Sequence, residues 1–349
     1  MEIRVYSPEM EFLGVIENQR SLVWDRAYND AGNFELHVPV TGYGIGLLQI
    51  GNLIWKRGSA DAGVIESRII KEQYDMHEIT VSGRFLTSYM DRRLVRPTYN
   101  FSGRAEVAMR TMLSNAVEIP LVQLETINNY EETIEFQATY KKLLSTVQKV
   151  AKSCNFGFRF RPDFTGKTIT FEIYKGVDRS FSQADNPRVI FSDDFANLNK
   201  AAYEENEQLY SNVCYVGGQG EGSQRTYVTA GDDTLTGLER REMFLNASDV
   251  SSDNLTTAQY KAALLQRGLD ALEEHSVFAT AECEVIPTGN YTYLEDYDVG
   301  DIVSVVKTDW GIASALRITG ITEVYENGTM TIIPTFGTPL PTKVNWEDD

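Results

Sequence analysis

Three cysteines, three histidines and four tryptophans in 349 residues are too few for several kinds of chemistry. Cys154, Cys214 and Cys283 are far apart and odd in number, with no CxxC pair and no Cys/His spacing, so neither a disulfide framework nor a zinc site is signalled. Each stands in an apolar setting and reads as a buried small hydrophobe. His37, His77 and His275 show no HExxH or other metal spacing, and no GxSxG elbow appears. No apolar run approaches the roughly 18 residues of a membrane helix. The N-terminal MEIRVYSPEM carries charge where a secretory segment has an apolar core. Basic residues are also short, 32 against 50 acidic for a net charge of −18, the wrong balance for gripping phosphate backbones. A like-charged wall suits DNA that slides past without sticking. Ordinary acidic solubility is the plainer reading of the same count.

What is present is alternation. Over residues 1–95, period-two patterns separated by turns predict a meander of about seven short strands, the form of a small barrel or sandwich. Leu22, Trp24 and Arg26 share one strand, which turns through Asn29 to Gly32 into Phe34, Leu36 and Val38, and this predicts a hairpin. The period then changes. Ala105, Ala108, Met109, Met112 and Leu113 predict a helix over 102–116 capped by Ser102, and Leu143, Leu144, Val147, Val150 and Ala151 predict another over 140–153. Phe156, Phe158 and Phe160, then Ile169, Phe171 and Ile173, predict a hairpin with one apolar face. Later, Thr256 and Gln259 form a capping-box pattern before an apolar stripe of Ala258, Ala262, Leu265, Leu269 and Leu272. Gly268 interrupts that helix and suggests close packing against a neighbour. Strands follow over 279–286, 302–306, 316–324 and 330–334, with Asn327-Gly328 as a hairpin turn.

Residues 204–245 organise the middle of the chain. Gly217, Gly218, Gly220 and Gly222 form a loop after the strand 209–216, read as a hinge or a subunit contact. A phosphate cradle needs a lysine or a following helix, and here Arg225, Thr226, Tyr227 and Val228 resume a strand. Acidic pairs at Asp193/Asp194, Glu204/Glu205, Glu295/Asp296 and Asp298/Asp301 are unavoidable in so acidic a chain, and sequence spacing establishes no catalytic groove. Asp298 and Asp301 lack the spacing of an EF-hand. The cluster Arg92, Arg93 and Arg96 reads as a contact for an acidic neighbouring subunit rather than for nucleic acid. Trp24 reads as core, Trp310 as exposed in a turn, and Trp346 as the anchor of a tail.

Several stretches carry a family resemblance. LVWDRAYNDAGNFELHVPV, IGNLIWKRG, VIESRIIKE and ITVSGRFLTSYMDRRLV, with FSDDFANLNKAAYEENEQLYSNVCYVGGQGEG and YLEDYDVGDIVSVV, resemble siphovirus tail proteins that include the Gp37-like tail protein, over about residues 1–336. The resemblance implies a baseplate hub, in which three subunits of two related barrels each present a pseudo-sixfold ring to the tail tube. It supplies no catalytic residues. Its matching positions are structural: Trp24, Arg26, Gly32 and Phe34, then Gly83 and Arg84, then Asn212, and last Gly300 and Asp301.

The expected fold is mainly β with α+β parts, two small β-barrel domains plus an inserted α+β domain. The first barrel spans 1–98, with part of 190–240 available to complete it. The α+β domain spans 99–190, the second barrel with helix 256–273 spans 205–336, and 337–349 is a tail. The expected function is a phage tail hub or baseplate component of the virion, made in the bacterial host cytoplasm. It forms a homotrimeric ring that joins tail tube to tip or fibre proteins and passes DNA without specific binding. No catalytic, cofactor-binding or metal residues and no cofactors are expected. The alternatives are a tail-associated glycosidase or peptidase and a host-surface adhesion module.

Overall fold

The computed structural model describes residues 1–337 except 74–75, 254, 277, 286–289 and 327. The tail with Trp346, and Asn327 of the expected turn, lie outside the described residues. Strands β1 (Ile3–Tyr6), β2 (Phe12–Ile16), β3 (Ser21–Ala27) and β4 (Asn33–Pro39) lead to a short helix α1 (Gly42–Leu47). Then come β5 (Leu53–Lys56), β6 (Gly63–Val64), β7 (Ser67–Gln73) and β8 (Met76–Arg84). Alternation sends Leu22 and Trp24 of β3 to the face shared by Leu36 and Phe34 of β4, their direct cross-strand partners. A four-stranded sheet in the order β2-β1-β5-β6 lays Ile3, Val5, Ile16 and Ile54 on that face, burying Trp24 against Phe34 and Phe85. The layers approach closely where Gly83 passes β6, since a Cβ there would lie 1.9 Å from the Val64 carbonyl oxygen.

The next segment contains β9 (Tyr99–Arg104), α2 (Ala105–Asn115), β10 (Val122–Leu124), β11 (Thr133–Ala138), α3 (Leu143–Ser153), β12 (Gly157–Asp163) and β13 (Thr168–Tyr174). Its core joins the stripes of both helices to Phe156, Phe158, Phe160 and Phe171. Ser102 does not cap α2. It belongs to β9, and the helix starts without a side-chain cap, the Ala105 N–H donating to the Glu132 carbonyl instead. Glu106 in the first turn is buried, and its carboxylate accepts from the Asn128 and Tyr130 N–H groups, so a favourable charge at the helix start also fastens the loop.

The remaining elements are β14 (Ile190–Ser192), β15 (Leu198–Asn206), β16 (Val213–Gly217), β17 (Tyr227–Gly231), β18 (Glu242–Asn246), α4 (Thr257–Glu274), β19 (Phe278–Val285), β20 (Ile302–Lys307), β21 (Ile312–Glu326) and β22 (Thr329–Gly337). Helix α4 carries the expected capping box, and Gly268 faces Val216 and Ala230 so closely that a Cβ would fall 2.6 Å and 2.7 Å from them. The buried face of α4 is nevertheless Tyr260, Ala263, Leu264, Gly268 and Ala271, while Leu265 and Leu269 of the expected stripe are exposed. Small residues allow the helix to lie close to the sheet, and this closeness outweighs the larger apolar side chains in choosing the face.

The expected pair of barrels is not what these strands form. One ten-stranded sheet runs β15-β19-β22-β21-β3-β4-β8-β7, with β20 beside β21 and β14 beside β20, and no sheet among the described residues closes on itself. The fold is mixed α/β with several sheets. The deciding contact is the antiparallel ladder of β3 with β21, Ala27 opposite Gly320 through Ser21 opposite Glu326. Alternation along a strand specifies which residues share a face but not which strand lies alongside. Strands assigned to separate barrels therefore meet as neighbours in the middle of one sheet.

Candidate interaction surfaces

A buried polar seam holds the two ends of the chain together. Arg26, on the apolar face of β3 and 4% exposed, donates from Nε to Asp61 Oδ2 (2.8 Å) and from Nη1 to Asp298 Oδ1 (2.5 Å) and the Tyr293 hydroxyl (2.7 Å). Beside it the Lys56 ammonium of β5 pairs with Glu323 of β21, whose carboxylate also accepts from Tyr325 (2.6 Å). Burial opposes the Arg26 charge, yet Asp61, Tyr293 and Asp298 more than offset it and hold its pKa well above the usual value. For Lys56 burial wins over Glu323 and the pKa falls. The cluster joins β3, β5, the 61 turn, residues 293–298 and β21. Its members come from both ends of the sequence, so the cluster fastens the first strands to the last ones described.

A second lock lies at Tyr28, whose ring is fully buried and whose hydroxyl donates to the Asn155 carbonyl (2.9 Å). Added Cβ atoms at Gly157 and Gly300 would reach that ring at 2.4 Å and 2.5 Å. Gly300 also has φ +99°, open to glycine. Its neighbour Asp301, buried, accepts from the Val177 N–H (2.7 Å) and Arg179 Nε (3.1 Å).

The glycine loop belongs to a three-stranded sheet, β17-β16-β18, in which β16 runs antiparallel to β17 and parallel to β18. Its inner face, Cys214, Val216 and Ala230, packs on α4. Gly218 leaves room for Tyr260 and Leu264 of that helix, and Gly217 leaves room for Arg225, whose Nη2 would meet an added Cβ at 2.7 Å. The first two glycines thus serve close packing, while Gly220 and Gly222 take positive φ. On the outer face Arg225 donates to the Gly218 and Gly217 carbonyls (2.9 Å each), and its guanidinium lies 5.7 Å from the Tyr227 ring and 5.6 Å from the Phe244 ring. The basic run is internally neutralised: Arg240 binds Asp233 (2.7 Å), Glu242 (2.5 Å) and the Tyr215 hydroxyl (2.7 Å), and Arg241 binds Glu207 (2.9 Å). Asn212 fastens the loop by accepting from the Arg241 N–H and donating to the Glu239 carbonyl.

The acidic pairs are divided among separate partners. Asp193 meets Lys307 and Asp194 meets Thr308, while Asp298 and Asp301 face different arginines. Among the described residues no group of His, Cys, Asp and Glu is placed to hold a metal ion. His37 lies in a polar seam between Glu35 (2.9 Å) and Glu78 (3.0 Å), His77 lies near Glu72, and His275 contacts the Leu209 carbonyl. Cys154 and Cys214 are buried, and burial raises their thiol pKa values to about 12 and about 11. Of the Arg92 cluster, Arg92 stacks on Tyr89 near Glu66, Arg93 donates to the Val117 and Glu118 carbonyls, and Arg96 is exposed. Trp310 is half exposed beneath Lys307. The main path of the large sheet ends at β7, where Ile69 and Ile70 are exposed, and at β15, where Glu204 is exposed, and its branch through β20 ends at β14.

Neither the Arg26 seam nor the Arg225 stack was singled out as a cluster from the sequence. A signal for the first was there: Arg26 follows Leu22 and Trp24, and Glu323 follows Ile321, at period two, which puts charges on core faces.

The family described as "Siphovirus ReqiPepy6 Gp37-like protein" matches residues 2–338. Among solved structures, the fold is similar to a 43 kDa tail protein of prophage MuSo2 from Shewanella oneidensis, at TM-score 0.61 and 14% identity over 96% of this chain and 98% of that one. It is similar to a tail protein from Neisseria meningitidis MC58 at TM-score 0.61 and 15% identity, over 97% and 96%. It is also similar to prophage tail protein gp18 from Listeria monocytogenes EGD-e at TM-score 0.58 and 12% identity, over 98% and 96%. At these identities the structural likeness concerns the fold. No curated protein matches the sequence.

Proposed function

From the premise that the chain belongs to the Siphovirus ReqiPepy6 Gp37-like protein family, we propose that it is a noncatalytic hub whose copies close into a ring between tail tube and tail tip. It is a viral tail protein, a structural part of the virion. The ring is our reading, and one observation supports it: the main path of the branched large sheet ends in two different open edges, β7 and β15. Unpaired strand edges are covered in native assemblies. An edge that pairs with a different edge of the next copy makes a head-to-tail contact, and such contacts generate rings when the rotation closes. Three copies satisfy the hub arrangement that the family resemblance implies. The pseudo-sixfold argument from two barrels per subunit falls with the barrels, so closure here rests on sheet edges alone.

The −18 charge fits a lumen that repels DNA passing at ejection. The boundaries 1–98, 99–190 and 205–336 are kept as proposed units, to be tested by limited proteolysis. Light scattering with negative-stain imaging tests the ring. Trimeric rings are expected, and a two-fold dimer joined through like edges would reject the arrangement. Incubation with bacterial cell-wall material tests the noncatalytic reading, which release of reducing sugar or free amino groups would overturn.

A further inference from the structure

The outer face of the β17-β16-β18 sheet is covered at one end and bare at the other. Val213 points outward yet is fully buried, and the Tyr215 hydroxyl beside it is bound by Arg240 of the 232–241 loop, so that loop covers the first end. At the other end Tyr227 and Phe244 are more than half exposed with Arg225 between them. Arg225 binds only neutral acceptors, the Gly217 and Gly218 carbonyls and the Asn246 side-chain amide, and pairs with no carboxylate among the described residues. All of these bonds use Nε and Nη2, so Nη1 keeps its donors for an outside group. This is notable in a chain with 50 acidic residues, where the neighbouring Arg240 and Arg241 have carboxylates of their own. Leu238, at the tip of the covering loop, is 98% exposed on a turn braced by Arg240 donating to the Asp233 and Leu235 carbonyls (3.0 Å each).

We propose that this bare face, Arg225 between Tyr227 and Phe244, is a docking site for an acidic peptide segment of another tail protein. The argument is charge complementarity. A guanidinium that is positioned by three neutral acceptors, flanked by two rings and left with a free edge matches a carboxylate better than any neutral group. The rings take the apolar side chain next to that carboxylate. Because Arg225 is already held in place, little side-chain freedom is lost on binding. Aromatic residues and arginine dominate the energetics of such patches. A glycan would also stack on the rings but has no carboxylate of its own unless it is a uronic or sialic acid, so the peptide is favoured.

The proposal rests on the tail-assembly reading, and its test is separate from the test of the ring. A displayed library of random 12-residue peptides is selected on the immobilised full chain. Enriched peptides are then measured by fluorescence anisotropy against wild type, Arg225→Gln and Tyr227→Ala. The expected result is enrichment of Asp or Glu beside an aromatic or aliphatic residue, with affinity falling about tenfold or more for Arg225→Gln and less for Tyr227→Ala. Tyr227 is more than half exposed on an edge strand, so the second variant keeps its fold whatever happens to the first. Absence of enrichment, enrichment of sequences without an acid, or binding unchanged by Arg225→Gln overturns the proposal. Light scattering of Tyr227→Ala closes the alternative: a fall in mass relative to wild type assigns the face to a second copy and overturns the docking proposal, whereas a wild type that forms no rings tells against the ring alone.

Discussion

Two arginine clusters in this molecule use the same groups to different ends. Around Arg26 the guanidinium, Asp61 and the Lys56–Glu323 pair are enclosed, and their partners come from opposite ends of the chain. Around Arg240 the carboxylates Asp233 and Glu242 are well exposed and all partners lie within a few residues or on the adjoining strand. Taking a charge from water costs much and is recovered only through its partners, so removing one partner from the enclosed cluster leaves a stranded charge. In the open cluster water replaces the lost partner. The depth of the cluster, more than the number of its hydrogen bonds, separates a lock from a loop brace.

The sharpest way to break this contrast is Arg26→Leu, which leaves Asp61 and Asp298 without their cation. A loss of about 3–5 kcal/mol is expected in urea unfolding, and a loss near that of a surface pair would erase the distinction. Gly300→Ala tests the lock that contains no charge, because the new methyl meets Tyr28 and the backbone has φ +99°. Here about 1–3 kcal/mol is expected by the same measurement.

His37 stands between the two extremes, half-buried with a glutamate on each ring nitrogen. Burial opposes its charge, but hydrogen bonds to Glu35 and Glu78 prevail and raise its pKa above 6.5. A raised pKa contributes stability that is fully present below 6.5 and lost as pH rises through the folded value. At the acid end the bond to His37 keeps the Glu78 pKa below 4.5. His37→Gln should therefore unfold earlier than wild type at pH 5.5, by under about 1 kcal/mol, with the gap closing by pH 8.5. A gap that persists at pH 8.5 would point to packing instead of charge. Arg240→Ala should have the smallest effect: an unchanged unfolding midpoint, with faster amide hydrogen exchange over 232–241 as the braced loop loosens. A shifted midpoint would move this loop to the side of the locks.

Local features were the legible ones. The β3–β4 hairpin, the phenylalanine alternation of β12, the α4 capping box and the close approach at Gly268 all follow from patterns within a few residues. Strand pairing between distant segments was not legible, and the barrels failed at that point, for β21 alternates just as well beside β3 as it would within a separate sheet. The buried face of α4 was misread because Leu265 and Leu269 outweigh Gly268 and Ala271 in hydrophobicity but not in closeness of fit. Of the interaction surfaces, only the position of the glycine loop after β16 was legible, while Gly217 ends that strand and its role depends on Arg225 folding back over it, a contact without a spacing rule.

The ladder between β3 and β21 also bears on when this protein can be finished. Thr322 hydrogen-bonds to Asp25 across 297 residues of chain, so the middle of the large sheet stays open until β21 has left the ribosome. A product cut short before residue 320 would keep one side of β3 unpaired, a surface recognised by chaperones and proteases. A virion part gains from this order of events, because a fragment lacking β21 cannot close the large sheet and so cannot pass for a folded one.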